Sequence, residues 1–436
     1  TSPEGLKESM DMTKTKAIFI LDILAAKYAD VLNESGVPCI ICSNSDYLIA
    51  PVVPAFKIFE KVKGKGIENI KNTVKYSKAV SIGSKKSCVE CHDGSAVAVY
   101  LHGGGTTGKS KTIIHSNFSF NSLAYAMYAC DVPHDYTNSY SLCILPCFHV
   151  FGLGVAMHYI LCNAYRPIMI PKFDPLQANE LIRKYCIKEI FGVPKMFQKL
   201  FEAPNFENEG VKNLTVLAAG GDYVSEEFVN EFNAKIKSLG AEGYLGRGYG
   251  LTEMCAVCTC NNFGIEDAKS TTVGRPIFGV EAEIWDDYGN KLPQGEIGEI
   301  IFAGDTMMNR YLPDDVVQET GIYVDENGKK WVRTGDVGYL DTDGHLIFTS
   351  RIKRIIIIAG YNIYPATIEQ KVMNLDYVAE ACACQGYDEN GKPYVKLVVA
   401  PKDKDADEDA LREELMAFCK NHFESYACPR KILFIP

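Results

Sequence analysis

Gly103-Gly104-Gly105-Thr106-Thr107-Gly108-Lys109-Ser110-Lys111 follows an apolar β-type run, Ala96 to Tyr100, and precedes a helical pattern, Ser116 to Met127. Strand, glycine-rich loop and helix form a phosphate cradle: glycines let backbone N–H groups approach, hydroxyls donate, and lysines neutralise charge. The hydroxyls and lysines exceed what a mobile turn requires. Gly103 through Ser110 also fits G-x-x-x-x-G-K-[ST], the P-loop spacing, which would put Lys109 on the β- and γ-phosphates.

On either side of this loop, short β-type runs alternate with helical patterns. Ala17 to Ile20, Cys39 to Ile41 and Ile168 to Ile170 read as strands, and Leu176 to Tyr185 as a helix. That alternation predicts βα units and mostly parallel sheet. From Gly274 the pattern becomes strand, turn, strand, with Val280 to Trp285, Ile297 to Phe302 and Trp331 to Gly338 separated by turns at 287–290 and 341–345, which predicts an antiparallel segment. Beyond Arg351 a compact set follows: strand Arg354 to Ile358, helix Ala366 to Met373, strand Val395 to Ala400 and helix Ala410 to Phe423. The expected fold is α/β, with a large N-terminal domain over 1–350 and a small α/β C-terminal domain over 351–436. Polar Ser350-Arg351-Ile352-Lys353 is the expected hinge.

Composition narrows the function. With 436 residues, 47% hydrophobic and 23% charged, the chain has the make-up of a soluble globular protein of more than one core. A net charge of -10 argues against a nucleic-acid binder that neutralises phosphates. Sixteen cysteines lack framework spacing and no apolar leader opens the chain, so reduced thiols in the cytoplasm are expected. The uncharged stretch Tyr136 to Tyr165 is long enough for a bilayer, but it is interrupted by Pro146, Gly152 and Gly154 and lacks cationic flanks, so it reads as buried helix and strand. Cys88-Val89-Glu90-Cys91-His92 has haem-attachment spacing without any export signal. Cys255, Cys258 and Cys260 have no second ligand pair at zinc spacing and read as buried thiols. His158 reads as a packed core residue.

Two further clusters carry chemistry. Gly248-Tyr249-Gly250-Leu251-Thr252-Glu253 sets a hydroxyl for a phosphate oxygen beside a carboxylate for magnesium. Arg333-Thr334-Gly335-Asp336 places an acid where a strand exits into a turn, where it can accept both hydroxyls of a ribose.

Order and separation of these stretches resemble the adenylate-forming superfamily of acyl-CoA synthetases, luciferases and peptide-synthetase adenylation domains, most closely its acyl-CoA synthetase branch. The loop resembles S-G-T-T-G-x-P-K-G, Tyr249 to Glu253 resembles Y-G-x-T-E, and Thr334 to Asp336 resembles T-G-D. Arg351, Lys353 and Gly360 to Glu369 resemble G-R-x-K…G-x-N-I-x-P-x-x-I-E, and Leu145 to Gly152 resembles L-P-x-F-H-x-x-G of the acyl pocket. Ser110, Thr112 and Gly104 depart from the loop pattern. The family's catalytic lysine lies in a G-K motif beyond a segment like Pro429 to Phe434, where this sequence stops, so Lys431 is not that lysine. The front is also short by about one sub-domain, and the chain reads as part of a longer enzyme.

The resemblance implies ATP-dependent activation of a carboxylic acid to an acyl-adenylate, then thioester formation with coenzyme A; ATP, Mg2+ and coenzyme A would be the cofactors. Thr106, Thr107, Lys109 and Lys111, with Gly108 and Ser110, would cradle the β- and γ-phosphates. Thr252 would contact the α-phosphate, and Glu253 would bind magnesium. Asp336 and Arg351 would hold the ribose, Gly220-Gly221-Asp222 would flank the adenine, and Tyr249 and Gly250 would complete the nucleotide site. His149 would line the acyl pocket, and a rotation about Lys353 would bring Gly360 to the thiol channel. The uncharged 136–165 stretch favours a fatty or aryl acid over an amino acid, whose ammonium would want a carboxylate partner. A carrier-protein-loading adenylation domain, a P-loop ATPase and a non-catalytic nucleotide binder remain as alternatives.

Overall fold

The structure, a computed structural model, describes residues 2–48, 69–87, 92–102, 112–130, 139–261, 269–312, 321–358, 361–389, 391–403 and 406–435. The chain divides into two compact units, Thr1–Ala96 and Val97–Pro436. In the first, β1 (Ile18–Leu21), β2 (Cys39–Cys42) and β3 (Thr73–Lys75) form a parallel sheet. Ile20, Ala25, Leu32, Cys39 and Ile70 make its core.

In the second unit, β4 (Val97–His102) and β5 (Thr112–Ser116) pair antiparallel, His102 opposite Thr112. The strand-loop-helix expectation therefore needs correction: a buried strand intervenes before the helix Asn117–Cys130. A loop that joins hairpin strands does not feed a helix N-terminus, as a P-loop must. Residues 103–111 lie outside the described residues.

Next come β6 (Tyr140–Cys143), β7 (Arg166–Met169), β8 (Glu189–Gly192), β9 (Val216–Ala219), β10 (Tyr244–Tyr249), β11 (Thr259–Cys260) and β12 (Arg275–Pro276), which make a seven-stranded sheet in the order 12-11-10-9-8-6-7. Strands β6 to β10 run parallel, and β11 and β12 turn antiparallel. All four residues of β8 and of β9 are buried, as expected of a parallel strand covered on both faces. One face is covered by helices Pro175–Tyr185, Pro194–Glu202 and Glu226–Ser238. Asp174 and Ser225 cap the first and third of these by accepting from Gln177 N–H and Phe228 N–H.

The antiparallel segment is present as read: β13 (Val280–Trp285), β14 (Gly298–Gly304), β16 (Ile322–Val324), β17 (Lys330–Leu340) and β18 (Leu346–Arg351) form one sheet, while β15 (Arg310–Leu312) leaves it to pair with β5. The uncharged stretch holds β6 and a helix from Phe151 to Cys162 whose first nine residues are π-helical. No described helix is long and apolar enough to cross a membrane. The chain's mixed α/β architecture, parallel sheet followed by antiparallel sheet, matches the expected class.

Past Arg351, Ile352–Arg354 is a 3-10 turn, so the strand expected from Arg354 to Ile358 starts only at Ile356; this β19 (Ile356–Ile358) pairs with β20 (Tyr361–Ile363). Helix Pro365–Met373, β21 (Val378–Tyr387), β22 (Pro393–Pro401), helix Glu408–His422 and β23 (Lys431–Phe434) complete the chain. Ile363, Ile368, Val372, Leu397, Leu415 and Ile432 gather in a core of their own. Buried Glu369 pins this segment by accepting from the Ala383 N–H at 2.8 Å and from Arg354.

Candidate active site

Three of the sequence clusters leave the carboxyl ends of parallel strands, where open α/β sheets bind ligands. Residues 144–149 follow β6, Gly220-Gly221-Asp222 follows β9, and Gly250 to Glu253 follows β10. Glycine is required at two of these exits. A Cβ on Gly152 would meet the Pro146 carbonyl oxygen, and one on Gly250 would overlap the Ala256 carbonyl. At Gly220 an added Cβ would make ordinary contacts, 3.4 Å from the Gly248 oxygen and 3.6 Å from the Phe151 ring. The glycine loop after β9 and the segment after β6 therefore meet.

Tyr249, Asp336 and Arg351 come together from three strands. The Tyr249 hydroxyl donates to Asp336 Oδ2 at 2.6 Å, and Arg351 Nε lies 3.3 Å from Oδ1. Register explains the second contact, because Asp336 and Arg351 are direct cross-strand partners on β17 and β18. Asp336 is only 6% exposed. Burial raises its pKa above the usual carboxylate range, against the opposing pull of the Tyr249 hydrogen bond and the Arg351 charge. The Tyr249 phenol is pushed well up by burial and by the Asp336 charge, so it stays a donor. Its ring lies near-parallel to those of Phe302 and Phe348, centroids 5.8 and 6.0 Å away.

Glu299 completes this corner, and no motif had flagged it. Its carboxylate accepts from Gly335 N–H at 3.0 Å and from Arg333 Nε at 2.8 Å, and Thr334 Oγ1 donates to the Ile300 carbonyl at 2.7 Å. These bonds fix an irregularity in the middle of β17 at which Gly335 takes φ +70°, so Asp336 sits within a strand and not, as expected, where a strand exits into a turn.

Thr252 and Glu253 lie half-buried in a 3-10 turn, Thr252–Met254. Glu253 Oε1 accepts from the Tyr311 hydroxyl at 2.8 Å, and Met308 N–H donates to the Glu253 carbonyl at 2.8 Å. Oε2 has no partner among the described residues. A carboxylate oxygen left open in this way suits a hard cation that takes most of its other ligands from phosphate and water. His115, a second residue the motifs did not flag, reaches the Thr252 carbonyl at 2.7 Å through Nε2. Arg247, two residues ahead of Tyr249, is buried with Nε and Nη2 unpaired among the described residues.

The remaining candidates are dispersed. Asp222 is exposed and accepts from the Tyr223 N–H. His149 is exposed at the entry to the π-helical turn, and its Nδ1 accepts from Phe151 N–H at 3.2 Å. His158 is half-buried, not fully packed, and its Nε2 lies 3.2 Å from Asn121 Oδ1. Lys353 is exposed in the 3-10 turn after Arg351. Thr106, Thr107, Gly108, Lys109, Ser110, Lys111 and Gly360 lie outside the described residues, as do Cys88 and Cys91. Cys255, Cys258 and Cys260 are buried free thiols, their pKa raised chiefly by burial for the first two. The only carboxylate–imidazole group spaced for a metal among the described residues is Asp341, Asp343 and His345, and Lys269 already bridges both its carboxylates.

Comparison with known proteins agrees with this arrangement. Residues 21–312 match the AMP-binding enzyme family, and 367–436 match the AMP-binding enzyme C-terminal domain. The chain is 30% identical to a long-chain-fatty-acid–CoA ligase of Bacillus subtilis, over 97% of this chain and 74% of the relative. It is 31% identical to a 3-[(3aS,4S,7aS)-7a-methyl-1,5-dioxo-octahydro-1H-inden-4-yl]propanoyl:CoA ligase of Rhodococcus jostii, over 76% of this chain and 60% of the relative. ATP-bound MatB from Rhodopseudomonas palustris has the same fold, with TM-score 0.81, 22% identity, and coverage of 100% of this chain and 78% of that one. The chain belongs to the AMP-binding enzyme family and is an adenylate-forming ligase.

Proposed function

We propose that this chain carries out the adenylation of a fatty or aryl carboxylic acid by ATP and the transfer of the acyl group to coenzyme A. The observation that carries the reading is the convergence of Tyr249, Asp336 and Arg351 on one buried carboxylate, next to the exit of the Thr252–Glu253 turn from the same strand. Asp336 accepts the ribose hydroxyls, Arg351 covers its open side, and Gly220 to Asp222 flank the base beside β10. Thr252 donates to the α-phosphate. Glu253 holds the magnesium ion, which supplies charge neutralisation on the phosphates when bound. The substrate carboxylate then attacks the α-phosphorus; pyrophosphate leaves, and the thiol of coenzyme A displaces AMP. The chain contributes position and a preorganised field in both steps.

Three further assignments belong to the same proposal. The 103–111 loop, with Thr106, Thr107, Lys109 and Lys111, grips the β- and γ-phosphates. His149 and the Phe151 ring line an apolar acyl pocket against Gly220. The domain boundary falls at 350/351, and residues 351–436 turn about Lys353 between the two half-reactions, which suits their separate core.

A panel of fatty, aryl and amino acids, scored by pyrophosphate release with ATP and then by AMP release on adding coenzyme A, tests the reading. Acid-dependent pyrophosphate release with apolar acids is expected. Plain phosphate release without an acid, or turnover of α-amino acids alone, overturns it.

A further inference from the structure

The Thr252–Glu253 turn is held from a neighbouring pair of strands by two residues, His115 and Tyr311, that no motif includes. Strands β5 and β15 pair with Tyr311 opposite Ile113, and Asn309 N–H donates to the Ile114 carbonyl at 2.8 Å. From β5, His115 reaches the Thr252 carbonyl; from β15, Tyr311 reaches Glu253 Oε1. A carbonyl only accepts, so Nε2 of His115 carries the hydrogen. Nδ1 is then an acceptor, and Cys255 Sγ at 3.0 Å and Ser119 Oγ at 3.4 Å stand ready to donate to it. His115 is wholly buried on the strand that also buries Ile113 and Ile114, and Tyr311, 4% exposed, shares a small core cluster with Ile113 and Met308. An aliphatic residue at 115 or a phenylalanine at 311 would pack there without bringing a polar atom out of water.

We propose that His115 and Tyr311 are positioning residues for the nucleotide–magnesium chemistry: His115 fixes the Thr252 carbonyl, and Tyr311 holds Glu253 Oε1 so that Oε2 is presented to the metal. The inference rests on the functional reading above, because it takes Glu253 as the magnesium residue. It adds a division of labour. Strand β5 leaves the glycine-rich loop and also anchors the Thr–Glu pair, so the phosphate grip and the metal carboxylate share one support. Burial supports the donor role of His115, keeping it neutral with a pKa lowered to about 4. Partners of this kind, one bond removed from a metal, change its affinity or the activity by about 10–100-fold when removed.

The experiment uses the full chain. Tyr311→Phe removes one oxygen and no packing. Electron paramagnetic resonance of Mn2+ with a non-hydrolysable ATP analogue is expected to show Mn2+ affinity weakened about tenfold. The Mg2+ concentration that half-saturates adenylation should rise in step, with the acid's KM unchanged. At His115, glutamine can place an N–H where Nε2 stood and asparagine cannot. His115→Gln is therefore expected to keep kcat within about threefold while His115→Asn loses about tenfold, at similar melting temperatures. Unchanged Mn2+ affinity in folded Tyr311→Phe overturns the proposal for Tyr311, and equal losses in the two His115 variants overturn it for His115. If the His115 variants do not fold, the Tyr311 result decides. Wild-type protein that binds Mn2+ and nucleotide but releases no pyrophosphate with any acid would sink the ligase reading while leaving this measurement valid.

Discussion

The Asp336 corner and the Glu253 turn both set a phenol against a carboxylate, Tyr249 at 2.6 Å in one and Tyr311 at 2.8 Å in the other, but they are built differently. In the corner the carboxylate is buried, and its cation is supplied by strand register, since Asp336 and Arg351 face each other across β17 and β18. In the turn the carboxylate is half-buried in a single 3-10 turn and is steadied by side chains from strands that belong to another sheet. A sheet ladder is cooperative and tolerates the loss of one side chain. A turn held by two tethers does not. The corner should therefore fail through loss of the ligand-binding group itself, and the turn through loss of either support.

The largest break is expected from Asp336→Ala. Two hydrogen bonds to a charged acceptor, at roughly 1.5–3 kcal/mol each, set the scale, and the Kd for ATP should rise by about 100-fold in isothermal titration. Unchanged affinity would remove the ribose assignment. Glu253→Gln comes next: the amide keeps the size and the Tyr311 contact but loses the charge, so kcat should fall by about 10–100-fold and the Mg2+ requirement should rise while ATP affinity without metal stays put. Arg351→Ala should cost ATP binding only about two- to fivefold, because the guanidinium is 67% exposed and solvent screens it.

The smallest effect carries a sign that separates the regions. Burial raises the Asp336 pKa, so the native state holds its proton more tightly than the unfolded chain does, and ionisation of Asp336 lowers stability as pH rises through the native value. Asp336→Asn should accordingly melt higher than wild type at pH 7.5 in the ligand-free protein, with the gap closing as pH falls below the native Asp336 pKa, even though it binds ATP less well. A lower melting temperature at pH 7.5 would mean that Tyr249 and Arg351 outweigh burial.

Much of this was legible in the sequence because the residues proposed to face the ligand sit in local motifs. Tyr249, Thr252, Glu253, Asp336 and Arg351 could be named from short patterns, and the switch from parallel to antiparallel sheet was audible at Gly274. The supports were not legible. His115 is one polar residue in a buried strand, Tyr311 one aromatic after a methionine pair, and Glu299 one acid in an otherwise apolar run; each finds its partner 34 to 140 residues away. The one available signal was a histidine with Ser116 and Ser119 inside an apolar stretch, a density of polar groups that a core does not carry without using them. The strand after the glycine loop was missed because Thr112 to Ser116 is too short to show a period of its own.

The hairpin that brackets the glycine-rich loop has a consequence for how such a protein can change. His102 faces Thr112 across β4 and β5, so the residues between them start and finish at two clamped neighbours. The closure entropy of such a loop grows only slowly with length. Residues inside it can be exchanged, added or lost as a cassette, with the frame beyond Thr112 undisturbed. In the function proposed above, nucleotide grip and acid selection are then separately adjustable, the first by splicing between two fixed posts and the second by substitution at the sheet's carboxyl edge.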